Sequence, residues 1–304
     1  MTQSTKYLRH GNRSIQKPIS YFIPAKRLKS QSAMEYLMTY GWAILIIAIV
    51  LVALFSLGIF NSANFAPRAQ PGSCQVIKTS AQTSLAGQCN GMLPEYVADT
   101  ANGDFKFFIS NPQVANGYTV SLWFINNTQS SSCSSTFGIV FSNDFSISTY
   151  IPQCYGNGPG SLTIYTQNPS DQNLGQNALT SFASWQNLVM AINFTSNSVK
   201  VYRNGNLQFA IDPSSSLGPT SINSISDSGV ILSSNIQMYN TTLSSNDIQA
   251  LYQEGIGGAP INVNNLVGWW PLNGNANDYS GNGNDGTTTN VIYTSAWTSG
   301  YSTP

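Results

Sequence analysis

Residues 41–60, GWAILIIAIVLVALFSLGIF, form an uncharged apolar run that only Gly41, Ser56 and Gly58 interrupt. At about 1.5 Å of rise per residue, such a run spans roughly the 30 Å hydrocarbon core of a bilayer. It therefore predicts a membrane or assembly helix. The helix start is signalled upstream at Gln31, where Ser32 and Glu35 stand at capping-box spacing. A carboxylate in a first turn also suits the positive end of the helix dipole. The expected helix covers residues 31–60.

The periodicity then changes. Residues 61–72, NSANFAPRAQPG, read as a polar, proline-containing linker. Beyond them GYTVSLWFI (117–125) carries apolar groups on both faces of a two-residue alternation, as a strand buried within a sandwich should. WQNLVMAINF (185–194) predicts a second strand. SVKVYRNGNLQFAI (198–211) predicts a hairpin around an Asn204-Gly205 type I′ turn. SLTIYTQ (161–167), GVIL (229–232) and NIQMYN (235–240) add shorter strands. One short helix is expected in TTLSSNDIQALYQEG, with Ser244 or Ser245 as cap, Asp247 in the first turn and Gly255 just past the end. Many short strands between Gly, Asn and Ser turns predict a β-sandwich or jelly roll over residues 73–304.

Charge sharpens this division. Of the twelve Lys and Arg, seven precede residue 31, whereas eleven of the twelve carboxylates follow residue 90, Glu35 being the exception. Residues 1–30 thus form a basic leader, and without them the chain carries a formal charge of −7. Cations ahead of an apolar helix hold the N-terminus on the cytoplasmic side. The expected localisation is therefore the cell membrane, single-pass, with the C-terminal domain extracellular. The acidic remainder argues against nucleic acid, whose phosphates need a basic footprint. The four cysteines, Cys74, Cys89, Cys133 and Cys154, all lie beyond the apolar run, and an even count on an exported segment reads as two disulfides. Sequence proximity favours Cys74–Cys89 and Cys133–Cys154 among the three connectivities.

Catalytic chemistry is sparse. The single histidine is His10, in the leader, which excludes a Ser-His-Asp triad and histidine metal sites from the rest of the chain. Glu35, Glu95 and Glu254 are the only glutamates, and no Glu/Asp pair at strand spacing offers the two carboxylates of a glycosidase. Asp99 and Asp104 fall on opposite faces if one strand carries both. The chain is read as no enzyme, and no cofactor is expected. Asn275, Asn277, Asp278, Asn284 and Asp285 offer hard oxygens for calcium, but their spacing departs from an EF-hand and Asx-turn bonding is the preferred account. Trp269, Trp270, Tyr279 and Trp297 are expected in a sandwich core rather than on a sugar platform. The sequons at Asn126, Asn193 and Asn240 are candidate glycosylation sites in an exported chain.

Two stretches carry family resemblances. Lys29, Ser30, Gln31 and Glu35 ahead of the apolar run resemble the class III signal peptide and assembly helix of archaeal type IV pilins. The resemblance implies cleavage by a prepilin peptidase between Ser30 and Gln31. It also implies a registration role for Glu35 and assembly with other pilin-like subunits. GYTVSLWFI, SWQNLVMAINFTSNSVKVYRNGNLQ and NTTLSSNDIQALYQEG resemble concanavalin A-like, laminin-G-type jelly rolls. LVGWWPLNGNANDYSGNGNDGT (266–287) resembles the segment that usually opens such a domain, yet here it closes the chain. Circular permutation is the favoured explanation, ahead of a truncated repeat or a strand donated to a neighbour. The expected architecture is mainly β, a concanavalin A-like sandwich preceded by one long N-terminal transmembrane or assembly helix. The expected function is that of a pilin-like structural or adhesion protein at the cell surface or in a filament. The alternative is a membrane-anchored, monomeric surface protein that binds a glycan or a protein.

Overall fold

The computed structural model describes residues 30–57, 59–60, 65–125, 136–141, 146–150, 162–165, 184–213, 218–228 and 232–304. The chain divides into two compact units, Met1–Leu57 and Gly58–Pro304. In the first, helix α1 covers Ser30–Ser56, 27 residues. It stops short of the expected residue 60, where Gly58 and the Asn61-Ser62 pair are weak helix formers. Four successive side chains, Ile44, Leu45, Ile46 and Ile47, are between 50% and 65% exposed. Four consecutive positions point to all sides of a helix, so its apolar surface runs round the whole circumference. Among the described residues no helix is long and apolar enough to cross a membrane.

The second unit is built from strands. β1 (Arg68–Ala69), β2 (Cys74–Lys78), β3 (Thr83–Gly87) and β4 (Leu93–Pro94) come first. They are followed by β5 (Val97–Asp99), β6 (Asp104–Phe108), β7 (Gly117–Ile125), β8 (Thr136–Phe141), β9 (Ser146–Tyr150) and β10 (Leu162–Tyr165). Next come β11 (Gln186–Asn193), β12 (Ser198–Arg203), β13 (Asn206–Ile211), β14 (Ile222–Ser228) and β15 (Leu232–Tyr239). Helix α2 (Ser245–Gln253) precedes β16 (Leu266–Trp270), β17 (Gly286–Thr289) and β18 (Ile292–Thr294). Among the described residues, a six-stranded sheet in the order β10-β9-β8-β14-β6-β17 faces an eight-stranded one, β13-β12-β11-β7-β15-β5-β18, in which β16 also pairs β15.

The main core lies between these sheets. Phe105 and Phe107 of β6, Phe137 and Ile139 of β8 and Ile225 of β14 meet Val120, Leu122 and Phe124 of β7 and Leu188, Met190 and Ile192 of β11. Every residue of β7 is buried. Its outward face is covered as well: Val189, Tyr239, Ile248, Leu251 and Trp269 form a second cluster, and Trp123, Trp185, Trp297 and Tyr301 a third. This extra layer explains why the strand is apolar on both faces.

The C-terminal stretch gives each sheet a strand. β16 pairs antiparallel with β15, and β17 with β6. The Trp270 ring stacks on Phe107 with centroids 4.3 Å apart, and its Nε1 donates to Asn284 O at 2.7 Å. A side chain at Gly286 would meet the Phe107 ring at 2.4 Å, so only glycine lets β17 run beside this ring pair. The segment resembling a domain's opening strand thus completes the sandwich of its own chain.

Local chemistry follows the sequence closely at two points. Asn204 and Gly205 adopt φ of 50° and 75°, joining β12 to β13 through Arg203 paired with Asn206. Ser244 caps α2 in a capping box with Asp247, and Gly255 follows at φ 79°. Three expectations need correction. The stretch read as linker, 61–72, contains β1, which pairs parallel with β4. Leu232 and residues 235–239 of the second stretch belong to a single strand, β15 (Leu232–Tyr239). Its pairing with β7 shifts between Ser234 and Gln237, where Asn235 takes a left-handed φ of 49°. Asp99 and Asp104 sit in different sheets, on β5 and β6, so no common strand relates their faces.

Truncating Trp270 to Ala should cost about 3–5 kcal/mol, as loss of a buried aromatic does. The check is a lowered urea midpoint with an unchanged m-value. Burial pushes the Tyr293 hydroxyl from its ordinary 10.0 up to about 12. It raises Tyr118, Tyr239 and Tyr301 too. The fold favours the neutral phenols, so their stabilising contribution is intact below the unfolded value of 10.0 and is lost as pH rises above it, in the case of Tyr293 through about 12. Near-ultraviolet circular dichroism should hold up to about pH 10 and collapse above it. Collapse well below that pH would contradict the assignment.

Candidate functional site

The most differentiated surface of the second unit surrounds the β2–β3 hairpin. Cys74 and Cys89 form a disulfide that closes a separation of 15 residues. Gly87, at φ 102°, lets the strands close: a Cβ there would lie 2.0 Å from Ser73 O. The hairpin docks by its Val76 side chain, which is 5% exposed, and by the Val76 amide, which donates to Tyr279 O at 2.8 Å. Lys78 Nζ donates to Asn282 Oδ1 at 2.5 Å. Partial burial lowers the Lys78 pKa, and Asp278 partly offsets that by favouring the ammonium.

Beside the disulfide lies an open trough of about 690 Å³, lined by Pro67, Leu85, Gln88, Asn90 and Met92 with Gly87, Gly91 and Cys89. This falls in the size range of small-molecule sites, about 300–1,000 Å³. Its lining holds two amide side chains, three apolar ones and no ionisable group. Gln88 and Met92 also border a narrower cleft of about 40 Å³, floored by Asn235, Trp269 and Asn273. The cleft has room for water rather than for a sugar ring.

The floor of the cleft is already hydrogen-bonded. Trp269 Nε1 donates to Asn235 Oδ1 at 2.8 Å, and Asn235 Nδ2 donates to Gly258 O at 2.8 Å. Gln237 Nε2 reaches Asn235 Oδ1 and Gly258 O at 3.1 and 3.2 Å, while Tyr239 Oη donates to Gln237 Oε1 at 2.5 Å. Asn273 is held between Tyr96 N and Ala69 O. These bonds hold the floor rigid, while Gln88 and Asn90 line the trough wall.

The Asn- and Asp-rich loop is turn chemistry. Asp278 Oδ1 accepts from Trp269 N at 3.0 Å and Ser280 N at 2.8 Å, and its Oδ2 accepts from Ser280 Oγ and Asn284 N, both at 2.9 Å. Asp285 Oδ1 accepts from Asp278 N at 2.8 Å, Asn284 Oδ1 from Ser110 N at 2.8 Å, and Asn275 Oδ1 from Asn277 N at 3.0 Å. Oxygens spent on the backbone do not converge on a cation, so these residues do not fit calcium. Among the described residues, no group of three or more His, Cys, Asp or Glu could hold a metal ion.

The other sequence candidates scatter. Ser30, Gln31 and Glu35 fall at the start of α1, in the first unit, and the side chains of all three lie outside the described set. Cys133, Cys154 and Asn126 lie outside the described residues. Asn193 is half-buried and its Oδ1 accepts from Ser196 N at 2.9 Å. Asn240 is half-buried, with a solvent-inaccessible Oδ1. The sequons of Asn193 and Asn240 adjoin: Thr242 Oγ1 donates to Ile192 O at 2.6 Å. Trp269, Trp270 and Trp297 are at most 3% exposed and offer no stacking platform. Sequence reasoning missed the trough. Its signal was the Gly87-Gln88-Cys89-Asn90-Gly91 run, where glycines flank amides at a disulfide.

No family model matches the chain. No curated protein matches it either. Among solved structures it is similar to a native heptameric SAP-like pentraxin from Limulus polyphemus, at 12% identity over 66% of this chain and 94% of that one, with a TM-score of 0.44. It is similar to a putative carbohydrate binding protein from Bacteroides ovatus at 11% identity, over 72% of this chain and 65% of that one, with a TM-score of 0.45. A third similarity is to the Ruminococcus gnavus IT-sialidase CBM40 bound to alpha2,3 sialyllactose, at 13% identity over 53% and 98% of the two chains, with a TM-score of 0.39. Overlaps this loose carry no argument about activity or ligand, and the sandwich assignment rests on the strand pairings themselves.

Removing the Cys74–Cys89 bond by a double Ser substitution should cost about 3 kcal/mol, the chain-entropy value for a loop of this length. The effect should be local. Hydrogen exchange is expected to rise across residues 73–92 while the strands of the main core stay protected; uniform loss of protection would contradict the hairpin's peripheral role.

Proposed function

We propose that this chain is a pilin-like cell-surface protein, inserted into a membrane and then assembled through α1, that displays a lectin-like β-sandwich to the exterior. The observation that carries this reading is the apolar circumference of α1. Apart from the half-buried Leu54, large side chains from Trp42 to Leu57 stay 43–71% exposed, an arrangement that water penalises. Lipid or a bundle of identical helices removes that surface from water equally well. The basic leader and the Ser30–Gln31 and Glu35 pattern support processing by a prepilin peptidase before assembly. The dearth of histidine and of paired carboxylates supports a non-enzymatic role.

The reading makes a direct expectation about the mature N-terminus. Mass spectrometry of the protein from membranes or surface filaments should find Gln31 at the N-terminus. An intact Met1, or a start near Ala63, would remove the pilin assignment. Glu35→Ala should abolish filament incorporation while leaving membrane insertion intact.

The trough favours a second reading, a membrane-anchored monomer whose sandwich binds a glycan. Uncharged amides beside Leu85, Met92 and Pro67 suit a neutral saccharide, which offers hydroxyls on its edges and C–H groups on its faces. A glycan array probed with the detergent-solubilised full chain tests it. Binding that the Gln88→Ala/Asn90→Ala pair abolishes supports the reading, and binding that survives it places the ligand elsewhere.

A further inference from the structure

The aromatic residues at the head of α1 fix where a bilayer would sit along it. Tyr36 and Tyr40 are 65% and 55% exposed, and their rings lie 5.0 Å apart on one side of the helix. Trp42 is 67% exposed. At about 100° per residue it projects roughly 160° away from Tyr40. Three amphipathic rings thus sit on opposing sides of the helix within about 9 Å along its axis. A single docking groove would call for them on one face. A girdle suits a surrounding that is the same in every direction, as a headgroup layer is.

The chain on either side agrees. Below the girdle, residues 43–57 carry no charge, and their one hydroxyl, Ser56 Oγ, donates to Ala53 O at 2.8 Å, so it presents no unmet donor to hydrocarbon. From Trp42 to Ser56, where α1 ends, the helix rises about 21 Å, roughly two-thirds of a hydrocarbon core of about 30 Å. In the sequence Lys26, Arg27 and Lys29 precede the aromatic residues, and such cations suit anionic headgroups.

We infer that Tyr36, Tyr40 and Trp42 form an interfacial collar that seats α1 at the cytoplasmic headgroup level, with the hydrocarbon beginning just after Trp42. Glu35 then stands outside the hydrocarbon, about 10 Å along the axis beyond Trp42, where a carboxylate keeps its water. The inference rests on the membrane-inserting reading of α1 and adds its depth.

The chain supplies its own probe. Of its six tryptophans, Trp123, Trp185, Trp269, Trp270 and Trp297 are at most 4% exposed, which leaves Trp42 as the one ring able to reach lipid. The full chain is reconstituted in phosphatidylcholine–phosphatidylglycerol vesicles whose acyl chains are brominated either near the carbonyl or near the terminal methyl. Shallow bromine should quench more emission than deep bromine, with the loss confined to one ring in six. Trp42→Phe should abolish the quenching. Trp42→Phe combined with Val50→Trp should reverse the order, with deep bromine quenching more. Stronger deep quenching of the unmodified chain, or equal quenching at both depths, would overturn the collar while co-flotation with vesicles preserved the membrane reading. Failure to co-float would overturn both.

Discussion

The constraint that governs this molecule is the removal of the apolar surface of α1 from water. A helix with one apolar stripe can satisfy itself against a protein core. A helix apolar on all sides needs an apolar medium on all sides. Ile44, Leu45, Ile46 and Ile47 follow one another without a polar break and stay exposed, so no single face of the helix can be assigned to solvent. The sequence around the helix is organised accordingly, with cations before it, aromatics at its head and an uncharged run behind them.

The second unit answers a different constraint, the closing of a sandwich whose last strands arrive from the end of the chain. β16 and β17 enter different sheets, and the Trp270–Phe107 stack joins them across the core. Gly286 permits that stack, and Asn284 both accepts from Trp270 Nε1 and receives the amide of Ser110. The polar Asn/Asp loop between β16 and β17 therefore works as a clasp, with Asp278 gathering backbone and hydroxyl donors from Trp269, Ser280 and Asn284. The outer layer of α2, the disulfide hairpin and the C-terminal aromatics then buries the far side of β7, leaving the trough where the hairpin meets its neighbours.

Much of this was legible in the sequence because it is local. The Asn204-Gly205 turn, the Ser244–Asp247 capping box and the doubly apolar β7 each follow from a few adjacent residues. The Cys74–Cys89 bond also agrees with proximity along the chain. What could not be read was set by tertiary contact. The single strand β15 hides behind a bulge at Asn235, whose amide is held by Gly258 and Trp269. β1 gains its identity only from β4, and Asp99 and Asp104 are separated by a change of sheet. The trough escaped notice because Pro67, Leu85 and Met92 are unremarkable until the hairpin folds them together with Gln88 and Asn90.

We propose that α1 exchanges lipid for copies of itself. The most direct test of this exchange places a photoreactive amino acid at Ile49, which is 60% exposed near the middle of the helix. In isolated membranes the probe should cross-link to lipid, and in surface filaments it should cross-link to α1 of another copy. Cross-links to the chain's own sandwich in both preparations would contradict the account, because the helix would then have an intramolecular partner and no need of either environment.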